Sequence, residues 1–288
     1  MSQKHIATLI TTIDTIPPLP EISAAVMKAL NAEEVAIVEV GDLIEKDIAL
    51  TSQILKVANS PAFGASNTIS NIHHAIMMLG LEEVRTLLLA FAVEKFFSTE
   101  AKDTALRQRY WRHARVCSYT ALLLAHHFQQ GDSGTFFLSG LIHDIGKVII
   151  DQFMHDEFEE IVAYVTQHNS SFSEAEEEIL GLGHAQIGGR LLQHWNFPDQ
   201  VTRQVLRHHQ PWQEKEFTTG ACIIFLANTL TKIAGYSCLV EEKVPSLAQF
   251  SSSKTMSRLR EQGLGLDPDA LAGLIEQIKE FVTADKAA

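Results

Sequence analysis

The stretch Gly140-Leu141-Ile142-His143-Asp144-Ile145-Gly146-Lys147 sets a histidine beside an aspartate inside an otherwise apolar segment. The apolar residues around the pair predict a helix over about residues 135–150. Imidazole nitrogens and carboxylate oxygens are natural ligands of transition metals, and adjacent side chains of these types can reach one ion or bridge two. The pair is therefore the first candidate for a functional site.

Four more histidines occupy predicted helices or helix ends on either side of the pair: His113, His184, His208 and His209. Helices can bring such distant residues together around one ion. An ion held in this way lowers the pKa of bound water and polarises a phosphoryl oxygen, so phosphoester hydrolysis is the reaction class to consider first. Because adjacent helical residues diverge by about 100 degrees, we expect only one ring of the His208-His209 pair to point inward, and we favour His208.

The stretch 140–147 carries a His-Asp-x-Gly-Lys signature and resembles the HD superfamily of metal-dependent phosphohydrolases. The order of the other histidines fits the same superfamily. Its members close the metal site with an aspartate on a following helix, where this chain has Asn228. The resemblance implies that Asp144 and Lys147 are the catalytic residues. The metal ligands it implies are His113, His143, Asp144, His184, His208, His209 and Asn228.

Asn228 is the point at which the chain departs from that pattern. An amide oxygen carries no formal charge and is a weaker ligand for a divalent ion than a carboxylate. We therefore expect reduced metal affinity, with Asn228 forming hydrogen bonds to neighbouring site residues. The resemblance leaves open whether an ion is held or absent, and whether it is Fe, Mn, Zn, Ni, Co or Mg.

Two cations are candidates for contact with a phosphate ligand. Lys147 is expected to serve either as a cation at a helix end or as a phosphate contact, and Arg190 is a second source of positive charge.

A larger set of motifs is similar to the HDOD domain, an HD-related output domain of bacterial signalling proteins, over residues 15–240. This resemblance implies an all-helical fold, bacterial origin and a regulatory role. Gln210 follows the paired histidines where the branch that hydrolyses cyclic di-GMP has a Gly-Tyr-Pro signature, so that branch is set aside. The motifs in this chain are Leu19-Pro20, Asp47-Ile48-Ala49-Leu50-Thr51, Leu55-Lys56-Val57-Ala58-Asn59-Ser60, His184-Ala185-Gln186-Ile187-Gly188 and Trp195-Asn196-Phe197-Pro198.

The composition independently predicts an all-α protein. Only 16 glycines and 8 prolines occur in 288 residues, and apolar residues recur at intervals of three and four. We expect an N-terminal helical bundle over residues 1–100, packed on an HD-type helical domain over residues 101–288. Three scattered cysteines, Cys117, Cys222 and Cys238, are expected to be reduced core residues.

Charge and hydropathy exclude several classes of partner. The chain has 35 acidic and 23 basic residues, a formal net charge of -12, and no run of lysine or arginine, so nucleic acid is not an expected partner. No apolar stretch approaches the roughly 20 residues of a membrane span, and no secretory signal opens the sequence. We expect a cytoplasmic protein that does not enter a membrane.

Two functions remain open, together with an inert scaffold as a third reading. The first is regulation through binding of a small phosphorylated ligand or a signalling protein partner, with a partly retained metal or phosphate pocket. The second is a working metal-dependent phosphohydrolase. The sequence predicts no oligomeric state.

Local patterns give four further expectations. Asn59-Ser60 is expected to stop a helix, and Asp267 to cap the last one. The Ser251-Ser252-Ser253 stretch predicts a flexible connector. The acidic run over residues 174–178 predicts a solvated helix start without a role in catalysis.

Overall fold

The chain divides into two compact units, an N-terminal unit within residues 17–99 and a C-terminal unit that contains residues 100–288. All regular elements in the described ranges are helices, which confirms the predicted all-α class. Within these same ranges, no helix has the length and apolar character needed to cross a membrane. The computed structural model describes residues 21–30, 34–59, 68–98, 104–131 and 133–285.

The described part of the N-terminal unit contains five helices around a small aliphatic core. Val26, Ile54 and Leu88 are fully buried in this core. Gly80 has φ 84°, a conformation that favours glycine, and it ends one helix directly before the next begins. The helices are α1 (Glu21–Leu30), α2 (Ile37–Ile44), α3 (Ile48–Ala58), α4 (Ile72–Leu79) and α5 (Leu81–Ser98).

Asn59 ends α3 by bonding to backbone groups, as predicted. Its Nδ2 donates to the carbonyl oxygens of Leu55 and Ile69, each at 2.8 Å. Its Oδ1 accepts from the Ile69 amide, also at 2.8 Å. The side chain thus ties the end of α3 to the chain ten residues later, whereas Ser60 lies outside the described residues.

The C-terminal unit is built on a long central helix and holds the candidate site. Its core is aliphatic, with Leu124, Ile223, Leu271 and Ile278 fully buried. The central helix α6 packs against α7, α13 and α16. The helices are α6 (Thr104–His127), α7 (Ser133–Ile142), α8 (Ile145–Phe153), α9 (His155–His168), α10 (Phe172–Ile179), α11 (His184–His194), α12 (Asp199–Arg207), α13 (Thr218–Ile233), α14 (Leu247–Ser251), α15 (Lys254–Glu261) and α16 (Pro268–Asp285), with a short 3-10 helix at Pro211–Gln213.

The three cysteines are buried and unpaired, as predicted. Cys117 and Cys222 belong to the apolar core. Cys238 differs, because its Sγ lies 3.5 Å from Asp144 Oδ2, to which it donates a hydrogen bond.

The single helix predicted over 135–150 is wrong, because the chain forms α7 and α8 with a turn between them. The turn consists of His143 and Asp144, and Asp144 has φ −96° and ψ 10°. The His143 ring contributes to the break, since its Nδ1 donates to Gly140 O at 2.8 Å and occupies the carbonyl that a continuing helix would use. The break puts both site residues between helices rather than on a helix face.

The serine stretch near residue 252 is not a flexible connector, because it joins two helices and caps the second. Ser253 is the N-cap of α15, where its Oγ accepts from the Met256 amide at 3.1 Å. The predicted cap at Asp267 is confirmed by the bond from the Ala270 amide to Asp267 Oδ1 at 2.7 Å.

The crossing of α8 and α11 requires glycine and provides a test of the fold. A Cβ on Gly146 would collide with the backbone carbonyl of His184, so we expect Gly146→Ala to lower the free energy of unfolding by about 1–3 kcal/mol. Gly273→Ala in α16 is the matched control, because its added Cβ meets open space and should be neutral or stabilising by about 0.4–1 kcal/mol. Urea unfolding measures both, and equal stability of the two variants would contradict the close approach.

Candidate metal centre

His143 and Asp144 lie at the start of α8, where both side chains are buried. The Nδ1–H of His143 donates to Gly140 O, so its Nε2 carries the lone pair that faces the site. Asp144 occupies the N-cap position of α8, yet its side chain forms no capping bond. The carboxylate therefore interacts with other side chains of the site and not with the backbone amides of the helix.

His113 projects from α6 toward this pair. Its Nδ1 donates to Tyr236 O at 2.6 Å, so its Nε2 also presents a lone pair. That Nε2 lies 3.3 Å from His143 Nε2 and 3.4 Å from Asp144 Oδ2. The structure thus brings together the first three predicted site residues, which come from α6 and the turn between α7 and α8.

His184 begins α11 and is held by an acidic side chain that the sequence analysis had assigned to solvent. Glu176 Oε2 accepts from His184 Nδ1 at 2.6 Å and from the His184 amide at 3.0 Å. The prediction of a solvated run is wrong for Glu176, which is fully buried. Its position on the face of Phe172 and Ala175, one helical turn apart, is the signal that could have revealed it.

Both rings of the His208-His209 pair reach the site, so the expectation that only one points inward is wrong. α12 ends at Arg207 and the pair lies in the turn that follows it, so the divergence of adjacent helical residues by about 100 degrees does not set the direction of the His209 ring. His208 Nε2 lies 3.3 Å from His184 Nε2, and His209 Nε2 lies 2.9 Å from the same atom. His208 Nδ1 donates to Val205 O at 2.7 Å.

The histidines converge on one carboxylate. Asp144 Oδ1 lies 3.4 Å from His143 Nε2, 3.0 Å from His184 Nε2 and 3.7 Å from His208 Nε2. It is buried, yet no described residue donates a hydrogen bond of good geometry to it. An acceptor oxygen surrounded by imidazole nitrogens in this way can take a cation as its partner.

Burial keeps most of these rings neutral. It lowers the pKa of His113 to about 3 and that of His143 to about 4, although Asp144 opposes both shifts. Burial and the neighbouring imidazoles also hold the pKa values of His208 and His209 well below the ordinary value. These four rings are therefore neutral. Their Nε2 atoms carry no second proton that could form a hydrogen bond to the lone pair of a neighbouring ring.

His184 is the exception among the five. Burial by itself would lower its pKa, but the Glu176 carboxylate and Asp144 raise the pKa above the ordinary value. In the absence of an ion, His184 is therefore the ring of the five that is protonated most readily.

Lys147 is an internal ion-pair partner rather than a free contact for phosphate. Its side chain is fully buried, with Nζ 2.7 Å from Asp144 Oδ2 and 4.8 Å from the centroid of the Phe172 ring. Burial would lower the pKa of Lys147, but Asp144 together with the nearby Glu242 and Glu176 carboxylates raises it, so the lysine stays charged. Neither role considered for Lys147, the helix-end cation or the phosphate contact, matches this position.

The segment 236–243, which follows α13, closes one side of the site. It supplies the carbonyl that orients His113 and the thiol that donates to Asp144. Glu242 Oε1 anchors it by accepting from Lys232 Nζ at 2.6 Å, and from the Phe172 amide at 3.4 Å. Nothing in the sequence marks this segment as part of the site, because a backbone carbonyl has no sequence signal.

Asn228 lies beside the cluster, in the wall of a cavity of about 300 Å³ that His184 and His209 also line. Its Oδ1 is buried and accepts no hydrogen bond from any described residue, so this oxygen does not form the hydrogen bonds to neighbouring site residues that were predicted for Asn228. Arg190 is exposed and does not line this cavity, whereas Lys232 and Lys243 do.

The donor atoms form two groups that share Asp144 and fit a divalent transition-metal ion. Each group offers ligand atoms that lie within 4.8 Å of one another. Imidazole nitrogens with one carboxylate are a donor set typical of Zn, Fe, Mn, Co and Ni. A bond from the distal ring nitrogen to a carbonyl or carboxylate is the usual support of a metal-ligating histidine. The groups are His113, His143 and Asp144, and Asp144, His184, His208 and His209.

The profile of the HDOD domain matches residues 16–211 of this chain. A crystal structure of an HDOD domain protein from Geobacter sulfurreducens has a TM-score of 0.74 and 24% sequence identity, covering 99% of this chain and 97% of that chain. A protein from Shewanella amazonensis SB2B, provisionally named a phosphohydrolase, has a TM-score of 0.72 and 23% identity, covering 95% and 94% of the two chains. At these identities the similarity establishes the fold.

A protein of Treponema pallidum (strain Nichols), named as uncharacterized, is 25% identical over 261 residues. The alignment covers 89% of this chain and 50% of the relative, so the chain spans about half the length of that relative. The matched HDOD residues include the five histidines and Asp144, whereas Asn228 and the segment 236–243 follow the match.

Proposed function

The chain belongs to the HDOD domain family, and from this premise we propose that its C-terminal unit is a signalling domain that binds a divalent transition-metal ion and regulates through binding. The supporting observation is the orientation of four rings. His113, His143, His184 and His208 each direct Nδ1–H to a carbonyl or carboxylate and Nε2 toward Asp144. Convergent ring nitrogens around one buried carboxylate form a donor set suited to such an ion.

In this proposal the chain's own residues hold and orient the metal-ligating side chains and do not react with a substrate. Glu176 and three backbone carbonyls fix the rings, and Lys147 neutralises the Oδ2 side of Asp144. When bound, a divalent ion would supply Lewis acidity toward a phosphoryl oxygen. Regulation is favoured over turnover because Lys147 is engaged inside the protein and because an uncharged amide, Asn228, stands where the superfamily has a carboxylate. A signalling protein partner and a cytoplasmic location belong to the same proposal.

Metal content and affinity test this proposal directly. We expect the purified full chain to bind Zn²⁺, Mn²⁺, Co²⁺, Ni²⁺ or Fe²⁺ stoichiometrically, as measured by elemental mass spectrometry after loading and dialysis. We expect His184→Gln to weaken binding by more than about 100-fold, since losing a partner that merely supports a ligand already costs about 10–100-fold. His194→Gln is the matched control, because His194 is exposed at the other end of α11.

Failure of the wild-type chain to retain any of these ions would contradict metal binding, and equal affinity of the two variants would contradict the assigned ligand.

Phosphohydrolase activity is the second candidate, favoured by the cavity that reaches His184, His209 and Asn228. Hydrolysis of p-nitrophenyl phosphate by the loaded protein, lost in His184→Gln and kept in His194→Gln, would establish the enzyme in place of the regulator.

A further inference from the structure

The described residues of the N-terminal unit expose three large apolar side chains on three different helices. Val38 in α2 and Met77 in α4 are each 64% exposed, and Ile48 at the start of α3 is 82% exposed. The described part of the C-terminal unit exposes two, Phe153 and Val240, although that unit is more than twice as long. Single exposed apolar side chains are ordinary, but a contiguous group marks an interaction site.

The helices α2 and α4 meet at the His73 ring. A Cβ on Gly41 would collide with this ring, and His73 Nε2 lies 3.3 Å from Asp42 Oδ1. Val38 precedes Asp42 by one helical turn, and residues spaced in this way share one side of a helix. By the same spacing, Met77 shares one side of α4 with His73. Both apolar side chains thus border the contact, each about 6 Å from it along its own helix.

Ile48 lies at the turn that follows α2. Glu45 is the C-cap of α2, and its Oε1 lies 3.8 Å from His73 Nδ1, so the end of α2 borders the same ring. Asp47 then caps α3 through two backbone amides. The capped turn holds Ile48 three residues after Glu45. The third apolar side chain therefore borders the same contact as the first two.

Carboxylates flank these apolar side chains. Four acidic residues and one lysine occur over residues 37–48. The Asp42 and Glu45 side chains are 63% and 49% exposed, and the described partner of both is the His73 ring. Both carboxylates can therefore accept further hydrogen bonds from lysine or arginine. The acidic–apolar face consists of Val38, Ile48, Met77, Asp42 and Glu45.

The charge of this face favours one class of partner. An apolar centre flanked by carboxylates is complementary to an amphipathic helix that carries lysine or arginine beside its apolar side. A second copy of this chain has a net charge of -12 and would be repelled as a whole. A membrane with anionic lipids would repel the same carboxylates. A basic helix of another protein meets neither obstacle.

From the grouped apolar side chains, the contact between α2 and α4 and the flanking carboxylates, we infer that the acidic–apolar face binds a basic amphipathic helix of a partner protein. Apolar side chains of that helix cover Val38, Ile48 and Met77, and its cations pair with Asp42 and Glu45. Met77 suits this role, because an unbranched thioether adapts to different apolar partners. This inference rests on the proposed regulatory function and names the class of its protein partner.

Fluorescence anisotropy of labelled peptides tests the inference on the full-length, metal-loaded protein. Each peptide has about 18 residues, or about five helical turns. The first has leucine on one helical side and lysine on the other, the second has glutamate in place of lysine, and the third scrambles the first so that no amphipathic side remains. We expect the first to bind at least about tenfold more tightly than the others, since only it offers both the apolar side and the cations.

A substitution of one apolar residue tests the location of binding. We expect Ile48→Ala to weaken binding of the first peptide about tenfold, because most of an apolar side chain leaves the contact. Ile48 is exposed in the free protein, so the fold should be retained. Phe153→Ala is the control, because Phe153 is an exposed apolar residue of the C-terminal unit, and it should bind as wild type.

A substitution of the two carboxylates tests the charge complementarity. We expect Asp42→Asn combined with Glu45→Gln to weaken binding of the first peptide about fivefold, as expected for the loss of two exposed ion pairs. Asp269→Asn combined with Glu261→Gln is the matched control. It changes the net charge by the same amount at exposed positions of the C-terminal unit, and it should bind as wild type.

Metal content is measured on the same samples. Absence of binding of the first peptide with metal retained overturns this inference alone, whereas absence of metal in the loaded wild type overturns the proposed function. Equal binding of the first and third peptides overturns the inference, as do face variants that bind like their controls. Self-association of the wild type in analytical ultracentrifugation, lost in Ile48→Ala, would assign the face to a second copy and overturn the inference too.

Discussion

Replacing Asp144 with asparagine is expected to lower the free energy of unfolding of the metal-free protein by about 3–5 kcal/mol. The variant keeps the shape of the side chain but removes the charge 2.7 Å from Lys147 Nζ, in a place where the lysine has no exposed surface. A buried ammonium without its carboxylate retains the cost of desolvation and loses the interaction that offset it. Urea unfolding in the presence of EDTA measures the effect without a contribution from bound metal.

A second substitution separates this electrostatic cause from a packing defect. Adding Lys147→Met to Asp144→Asn removes the stranded charge and leaves a side chain of similar volume, so we expect it to restore most of the lost stability. We expect neither Asp144→Asn nor the double variant to bind metal, because the ligand shared by both groups is absent. Unchanged instability of the double variant would show that the Asp144–Lys147 pair is not the cause.

Lowering the pH from 7 to 5 is expected to destabilise the metal-free protein steeply. His113, His143, His208 and His209 have folded-state pKa values below the value of about 6.5 in the unfolded chain. They take up protons on unfolding, and each contributes up to about 1.4 kcal/mol per pH unit. Their contribution to stability is full above about pH 6.5 and is lost as the pH falls toward the folded values, about 3 for the His113 pKa and about 4 for the His143 pKa.

His184 acts in the opposite direction and reduces the slope. Its raised pKa means that its stabilising contribution is present at low pH and is lost as the pH rises through the folded-state value. Glu242 titrates in a lower window, since Lys232 and Lys147 outweigh burial and lower the pKa of Glu242 to about 2. Changes in the free energy of unfolding between pH 7 and 5 therefore reflect protonation of the histidines.

Urea unfolding at three pH values in EDTA, combined with one variant, checks this interpretation. His113→Gln removes one of the titrations and should flatten the slope by up to about 1.4 kcal/mol per pH unit, whereas His194→Gln removes an exposed ring and should not. Constant stability between pH 7 and 5 would mean that the rings are not buried in neutral form.

The sequence predicted the all-α class and the candidate donors because each leaves a direct signal. Helical periodicity shows in the spacing of apolar residues, and the His143-Asp144 pair has a recognisable neighbourhood. All five candidate histidines lie in the cluster together with Asp144. Their roles as metal ligands stay a prediction until the metal is measured.

Two of the errors arise because side-chain direction depends on where helices end. The helix α12 stops at Arg207, so His209 lies beyond it, and the turn at His143 interrupts what periodicity reads as one helix. Glu176 was assigned to solvent by its charge, although its helical position places it with buried residues. The carbonyls of Gly140, Val205 and Tyr236, which orient three rings, belong to the backbone and have no residue type to detect.

The closure by segment 236–243 has a consequence for the kinetics of metal exchange. An ion at His113, His143 and Asp144 would be enclosed by buried side chains, and the segment is bonded to two of the three ligands. Release would then wait for local opening, which breaks those bonds and the Glu242–Lys232 pair. The metal ion that is available when the chain folds would stay bound. Which metal occupies the site would then depend on the supply of ions during synthesis more than on the relative equilibrium affinities of the site for different ions.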